Sequence, residues 1–240
     1  MLQTLREWLA VPLVLAAAGA AIVVYSVNNP TDRLVASYLT YGKVMDSLSE
    51  HLWLMLVSMI GATVVGVLVG IMLSRPGLFY IGKGVEAIVN VGQTVPSLAV
   101  LALFLSVLGL GFRTAVFALF LYSILPILRN TFAGIVNVDS SIIESARGMG
   151  MSPFRILTRI ELPIAYPIIA SGIRTAVVIN VGAATLATFI GGGGIGDLIV
   201  TGLSLQREMI ILNGAVLAAI TAIILDYLVA RFESYLVRWS

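Results

Sequence analysis

Long apolar stretches separated by short polar segments make up most of the chain. Six of them reach the length of about 20 residues that a membrane-spanning helix needs at 1.5 Å of rise per residue. Strands of a membrane barrel would alternate apolar and polar residues over about ten positions, and these stretches do not alternate. The pattern predicts an all-α integral membrane protein with six transmembrane helices, at residues 9–27, 52–73, 85–110, 114–136, 164–190 and 209–230.

Composition agrees with this prediction. Hydrophobic residues fill 59% of the 240 positions and charged residues 11%, against roughly a quarter charged in an ordinary soluble domain. The chain has no cysteine, which excludes disulfides, thiolate nucleophiles and cysteine metal sites. Its single histidine, His51, lies just before the second predicted span, where we expect a hydrated side chain. A net charge of +2 gives no indication of a nucleic-acid partner.

Lysine and arginine residues set the expected orientation. With the N-terminus inside, ten basic residues fall on inner segments and helix ends and four on outer ones. Because cytoplasmic segments carry the excess of these residues, both termini are predicted to be cytoplasmic. The inner set comprises Arg6, Arg75, Lys83, Arg129, Arg147, Arg155, Arg159, Arg174, Arg231 and Arg238.

The first apolar stretch could be read as a signal peptide or as a span. Its apolar run is longer than the core of a typical signal peptide, so we expect it to stay uncleaved. We divide the chain into an N-terminal helix with its outer loop, residues 1–43, and one transmembrane domain, residues 44–235.

The longest inner loop, residues 137–163, carries the signals of two short helices. Ser141 with Glu144 three residues later predicts a capping box, Gly150 follows the end of the first helix, and Ser152 before a proline predicts the N-cap of the second. Such a pair of helices suits docking into a groove of a soluble partner. It equally suits an amphipathic linker lying in the lipid headgroups.

The spacing within this loop resembles the EAA signature of permeases from binding-protein-dependent ABC importers. In that family Glu-Ala-Ala is followed after three residues by Gly and after nine more by Ile-x-Leu-Pro, and this chain matches in register across 20 positions, with Ser in the second place. The matching residues are Glu144, Ser145, Ala146, Gly150, Ile160, Leu162 and Pro163. The resemblance implies a type I ABC importer transmembrane domain whose loop 137–163 is the coupling helix, seated in a cleft of a separate ATPase.

Further segments narrow the family. Residues 92–103, 108–112, 122–131 and 190–198 are similar to permeases that import glycine betaine, carnitine, choline and related osmoprotectants. This resemblance implies an osmoprotectant as the solute. Permeases for amino acids share much of the same scaffold, so an importer of amino acids or of another small solute is the alternative.

The family resemblance also implies the partners. They are ABC ATPase subunits, a second permease subunit that is identical or homologous, an extracytoplasmic solute-binding protein and the bilayer of a bacterial inner membrane. The sequence has no Gly-Lys-Ser or Gly-Lys-Thr of a P-loop, so ATP and Mg are expected on the ATPase and no cofactor on this chain.

Polar residues interrupt the third and fifth predicted spans. In the third span they recur at i, i+3, i+4 and i+7, which is one face of a continuous helix. Polar side chains within a span line a water-filled path or join neighbouring helices by hydrogen bonds, and the sequence favours neither role. The candidate path residues are Asn90, Gln93, Thr94, Ser97, Asn180 and Thr185.

One enzyme hypothesis is open to test. Residues 194–197 fit the Gly-x-Gly-Asp of intramembrane aspartyl proteases, which need two facing carboxylates. The best partner for Asp197 is Asp226, and the predicted topology places it at the opposite membrane face, about 25 Å away. A passive channel or anchoring subunit is a further alternative. We expect a transport subunit with no catalytic or metal-binding residue of its own.

Overall fold

A computed structural model describes residues 2–237, and all regular elements in that part of the chain are helices. The long helices are α1 (Leu2–Asn28), α3 (Tyr41–Leu73), α6 (Phe112–Val136), α9 (Leu162–Ala184) and α11 (Glu208–Val237). The shorter helices are α2 (Arg33–Tyr38), α4 (Phe79–Gly92), α5 (Ser97–Leu108), α7 (Ser140–Gly148), α8 (Pro153–Ile156) and α10 (Gly196–Leu205). A π-helical turn (Leu157–Glu161) precedes α9 and a 3-10 turn (Thr185–Ile190) follows it. Arg238 and the side chain of Arg6, both counted for orientation, lie outside the described part.

The predicted all-α membrane architecture is confirmed. Within residues 2–237, five helices are long and apolar enough to span a membrane, and the pair α4–α5 gives a sixth when it is counted as one span. The second span begins at Tyr41 rather than at residue 52, because Thr40 caps the helix by accepting from the Lys43 N–H at 3.3 Å. The apolar stretch starts later than the helix because the first turns of α3 contain many polar residues.

The third span is broken, which corrects the expectation of one continuous helix. Between α4 and α5 the chain bends by 101°. The cause is Pro96, which has no N–H to donate and disfavours helical geometry in the residue before it. Asn90 therefore lies in α4 and Ser97 begins α5, with Gln93 and Thr94 in the bend. The four polar residues do not share one helical face.

Small residues let the central helices α3, α6 and α9 approach closely. A Cβ built on Gly66 of α3 would lie 2.9 Å from Cγ2 of Ile127 in α6. One built on Gly172 of α9 would lie 2.6 Å from Cβ of Asn130, also in α6. Close approach of this kind is how helices associate in lipid, where apolar side chains gain little by leaving the solvent. The three helices form the core on which the other elements are arranged.

An ion pair fixes the N-terminal elements to the last helix. Asp32 caps α2 by accepting from the Val35 N–H at 2.8 Å, and its second oxygen lies 2.5 Å from Nε of Arg207, one residue before α11. The hydrogen bond from the Val35 backbone and the charge of Arg207 hold the pKa of Asp32 below its usual value. Val23, Val35 and Leu217 belong to one buried apolar cluster beside this pair.

Candidate functional site

The 137–163 loop folds into two short helices, as the sequence predicts, but its first cap differs from the expected one. Asp139, not Ser141, is the N-cap of α7, and its Oδ1 accepts from the Ser141 N–H at 2.8 Å. This hydrogen bond lowers the pKa of Asp139. The predicted capping box is wrong because the helix begins at Ser140, one position before the expected cap.

The turn between α7 and α8 depends on Gly150. Its φ of +78° lies in the left-handed region that glycine adopts without steric cost. The Met151 N–H reaches back to the Ala146 carbonyl at 3.1 Å, the long bond of a helix-ending Schellman motif. Ser152 then caps α8, as predicted, by accepting from the Arg155 N–H at 3.4 Å. The two helices are thus held at a fixed angle by local hydrogen bonds.

The signature residues of this loop divide between its surface and its packed side. Ala146 is fully buried, whereas Ile160 and Leu162 are half-buried where the chain enters α9. The exposed members are Glu144, Ser145, Gly150 and Pro163. The loop therefore presents a free polar face together with large apolar side chains, since Met149 and Phe154 are 74% and 72% exposed.

An ion pair that the sequence did not indicate joins this loop to α3. Arg75, two residues after α3, places one guanidinium nitrogen 2.7 Å from Oε2 of Glu161 at the end of the π-helical turn. The partners lie 86 positions apart. In the sequence, Arg75 is one of the basic residues of the inner segments, and Glu161 occupies the unspecified place in Ile-x-Leu-Pro. No sequence pattern links the two residues.

The predicted path residues of the third span lie around its bend. Asn90 and Thr94 are exposed, and Gln93 and Ser97 are half-buried. The Thr94 hydroxyl donates to the Val91 carbonyl at 2.7 Å, which also accepts from the Thr94 N–H at 3.0 Å. In the fifth span, Thr185 is half-buried and donates to the Gly182 carbonyl at 2.7 Å.

Asn180 lies in a different environment from the other five. It is fully buried, and its Nδ2 donates to Oγ of Ser123 at 2.6 Å and to Oγ of Ser58 at 3.0 Å. Both serines are fully buried as well. The group joins α3, α6 and α9, which is the arrangement expected of interhelical hydrogen bonding.

The glycine turn, residues 191–196, lies at the opposite end of α9 from the 137–163 loop. Gly193 and Gly194 have φ values of +76° and +102°, and the Gly194 N–H donates to Oε2 of Glu50 at 3.0 Å. His51 is fully buried against this turn, so the expected hydrated histidine is wrong. Neither of its ring nitrogens has a hydrogen-bond partner among the described residues.

The two carboxylates of the protease hypothesis have separate partners. Asp197 accepts a hydrogen bond from the Thr188 hydroxyl. Asp226 is held by Arg174 through two hydrogen bonds, of 2.5 Å to Nε and 2.8 Å to the terminal nitrogen. Asp197 and Asp226 therefore do not form the pair of facing carboxylates that the protease hypothesis needs.

Comparison with known proteins agrees with this architecture. A family model described as binding-protein-dependent transport system inner membrane component matches residues 62–239. The chain is 45% identical over 195 residues to the glycine betaine/carnitine/choline transport system permease protein OpuCB of Bacillus subtilis, covering 80% of this chain and 88% of that protein. It is 47% identical over 183 residues to the osmoprotectant import permease protein OsmY of Salmonella typhimurium, covering 76% and 78%.

A solved structure has the same fold. The MetNI methionine ABC transporter in an inward-facing conformation matches with a TM-score of 0.66 at 24% identity, covering 82% of this chain and 95% of that one. At this identity the likeness concerns the fold alone.

Proposed function

The chain belongs to the family of binding-protein-dependent transport system inner membrane components, and from that membership we propose that it imports an osmoprotectant such as glycine betaine, carnitine, choline or a related quaternary amine. It is a membrane-spanning permease subunit of an ABC importer, a transport component rather than an enzyme. The observation that carries the importer role is the exposed two-helix loop at 137–163. The solute class is supported by the relatives, which are named for these solutes.

The proposed coupling residues are Glu144, Ser145, Ala146, Gly150, Ile160, Leu162 and Pro163. The exposed face of α7, with the large apolar side chains of Met149 and Phe154 beside it, suits insertion into a groove of an ATPase. Half-buried Leu162 is the first residue of α9, so that a push on the loop reaches the spans through the chain itself. ATP and Mg belong to the ATPase in this proposal.

The proposed path runs along the polar bend of the third span. Asn90, Gln93, Thr94 and Ser97 offer uncharged groups at a break in a helix, and irregular backbone at membrane depth is tolerated where it lines a cavity or is buried in protein. Thr185 is the candidate from the fifth span. Uncharged donors and acceptors suit a zwitterionic or quaternary solute, which needs no fixed counter-charge along the way.

The remaining partners and the orientation are proposed on the same basis. A second permease subunit completes the path, a solute-binding protein delivers the solute at the glycine-turn side, and both termini lie in the cytoplasm. The segment 1–43 is proposed as an addition to the transport domain 44–235. Alternating access then consists of rigid-body rocking, in which closure of the ATPases moves the two loops together.

Purification of the tagged chain from its native host tests the proposal. We expect an ATPase to co-purify, and its activity to rise only when the solute-binding protein is present with glycine betaine, carnitine or choline. Stimulation by amino acids instead of these solutes would leave the importer function intact and overturn the solute class. Absence of an ATPase would overturn the coupling role.

A further inference from the structure

α3 is tied by polar contacts to the chain segment of α9 at three depths of the bundle. From the 137–163 loop to the glycine turn, the contacts are Arg75–Glu161 at 2.7 Å, Ser58–Asn180 at 3.0 Å and Glu50–Gly194 at 3.0 Å. Ser58 and Glu50 belong to α3, and Arg75 lies two residues after it. Their partners lie just before α9, within α9 and in the glycine turn, ten residues after α9 ends. Polar contacts therefore join α3 to this segment near both of its ends and in the middle.

The contact at the loop end is a bridge held from both sides. The Arg75 guanidinium also donates to the Ser74 hydroxyl at 2.9 Å and to the Ile71 carbonyl at 3.3 Å, so the last turn of α3 holds it in place. Glu161 is 8% exposed and ends the π-helical turn. Single π-helical turns within α-helices are frequent at functional sites.

This ion pair lies beside a cavity between the 137–163 loop and the ends of the spans. A cavity of about 640 Å³ lies between α7 and the ends of α3 and α6, and Ile143, Arg147, Phe79 and both members of the ion pair line it. The ion pair joins the loop to the end of α3 beside this cavity, so a displacement of the loop acts on α3.

The contact at the far end joins α3 to the glycine turn. Glu50 accepts from the Gly194 N–H, and the His51 side chain lies against the same glycine, where an added Cβ would be 3.2 Å from Nδ1. Gly193 and Gly194 have positive φ values, and a Cβ built on Gly193 would collide with Oε2 of Glu50, so the turn packs directly against α3. A displacement of α3 along its axis therefore moves the turn.

We propose that α3 is a strut that works beside α9. The chain itself joins the 137–163 loop to the glycine turn through α9, and α3 carries the same movement to that turn at the other membrane face, with Arg75 and Glu161 as positioning residues at one end and Glu50 at the other. The helix between them is unbroken and roughly 35 Å long at 1.5 Å per residue. The inference rests on the proposed function, because a loop moved by an ATPase is the source of the displacement.

Charge reversal at the loop end tests the strut. The assay uses the full complex of chain, ATPase and solute-binding protein in proteoliposomes, with glycine betaine as solute. Arg75→Glu and Glu161→Arg should each lower the stimulation of ATPase activity by loaded binding protein about tenfold, within the usual range of coupling between sites. The double variant restores the pair and should recover most of the stimulation and of the solute imported per ATP.

Arg129→Glu is the matched control. It reverses an exposed charge on the neighbouring helix α6 and should leave the stimulation unchanged. Full stimulation in both single variants would overturn the strut while leaving the importer function in place. No stimulation in the wild-type complex would overturn the importer function, and the strut with it.

A cross-link at the middle contact tests the strut without disturbing the ion pair. Because the chain has no cysteine, Ser58→Cys with Asn180→Cys introduces one defined pair where the side chains already touch. If α3 and α9 move as one body, the oxidised complex should transport as fast as the same complex after reduction. Transport that stops on oxidation and returns on reduction would overturn the strut.

Discussion

Gly70 of α3 lies so close to Thr131 of α6 that a Cβ built on the glycine would be 2.6 Å from Cβ of the threonine. It would also lie 3.1 Å from the Leu128 carbonyl oxygen, a backbone atom that cannot rotate away. Real Cβ atoms do not approach so closely, and Gly70→Ala therefore forces α3 and α6 apart.

We expect Gly70→Ala to lower the free energy of unfolding by about 1–3 kcal/mol, the usual cost of overpacking. Gly84→Ala is the matched control, because Gly84 also lies in a helix but has no heavy atom within 4 Å of its built Cβ. Thermal unfolding of the two purified variants in detergent measures the difference. Equal midpoints would show that the helices are not in contact at Gly70.

Gly150 offers a test of the turn between α7 and α8. Gly148 and Gly150 both have open space around a built Cβ, but only Gly150 has a positive φ. Alanine at Gly150 must then adopt a left-handed conformation at a cost of about 1–2 kcal/mol, or change the angle between the helices.

We expect Gly150→Ala to reduce the binding-protein-stimulated ATPase activity of the complex several-fold, while Gly148→Ala leaves it at the wild-type level. Insertion of the spans should be unaffected in both, since neither residue contacts them closely. Normal stimulation in Gly150→Ala would contradict the assignment of the loop as the coupling element.

The sequence predicts the helices because their cause is local, and it misses what depends on distant partners. Each span is predicted from its own run of apolar residues, and the α8 cap is predicted from Ser152, which directly precedes that helix. The break of the third span was missed although Pro96 signals it, because the apolar run continues through the proline. His51 is buried by the glycine turn, which is distant in the sequence. The residues next to His51 in the sequence do not indicate that contact.

The Asp32–Arg207 pair predicts an acid-sensitive attachment of α1 and α2. The pKa of Asp32 is lowered in the folded protein by the Val35 N–H and by Arg207, so its charge stabilises the fold above the unfolded value of 3.8. That contribution disappears as the pH falls through the lower, folded pKa.

We expect wild-type protein to unfold at a higher temperature than Asp32→Asn at pH 7, and the difference to shrink as the pH falls through 3.8 and to vanish below the lower, folded pKa. Asp46→Asn is the control, because it removes an exposed carboxylate from the nearby start of α3 without breaking an ion pair. A difference between wild type and Asp32→Asn that stays constant with pH would show that the carboxylate charge is not involved.

Gln93, in the bend between α4 and α5, tests the proposed path. An acidic side chain there places a negative charge where the wild type has a neutral amide. If the solute passes this point, the charge attracts cationic choline more than zwitterionic glycine betaine. Gln93→Glu should therefore raise the ratio of choline to glycine betaine uptake several-fold, measured in proteoliposomes at saturating binding protein.

Gln93→Met separates charge from shape, because methionine has a similar length without the amide. We expect it to slow the uptake of both solutes equally and to leave their ratio at the wild-type value. An unchanged ratio in Gln93→Glu would place the residue outside the path and give it a packing role. A changed ratio in both variants would indicate that the shape of the bend, rather than its electrostatics, discriminates between the solutes.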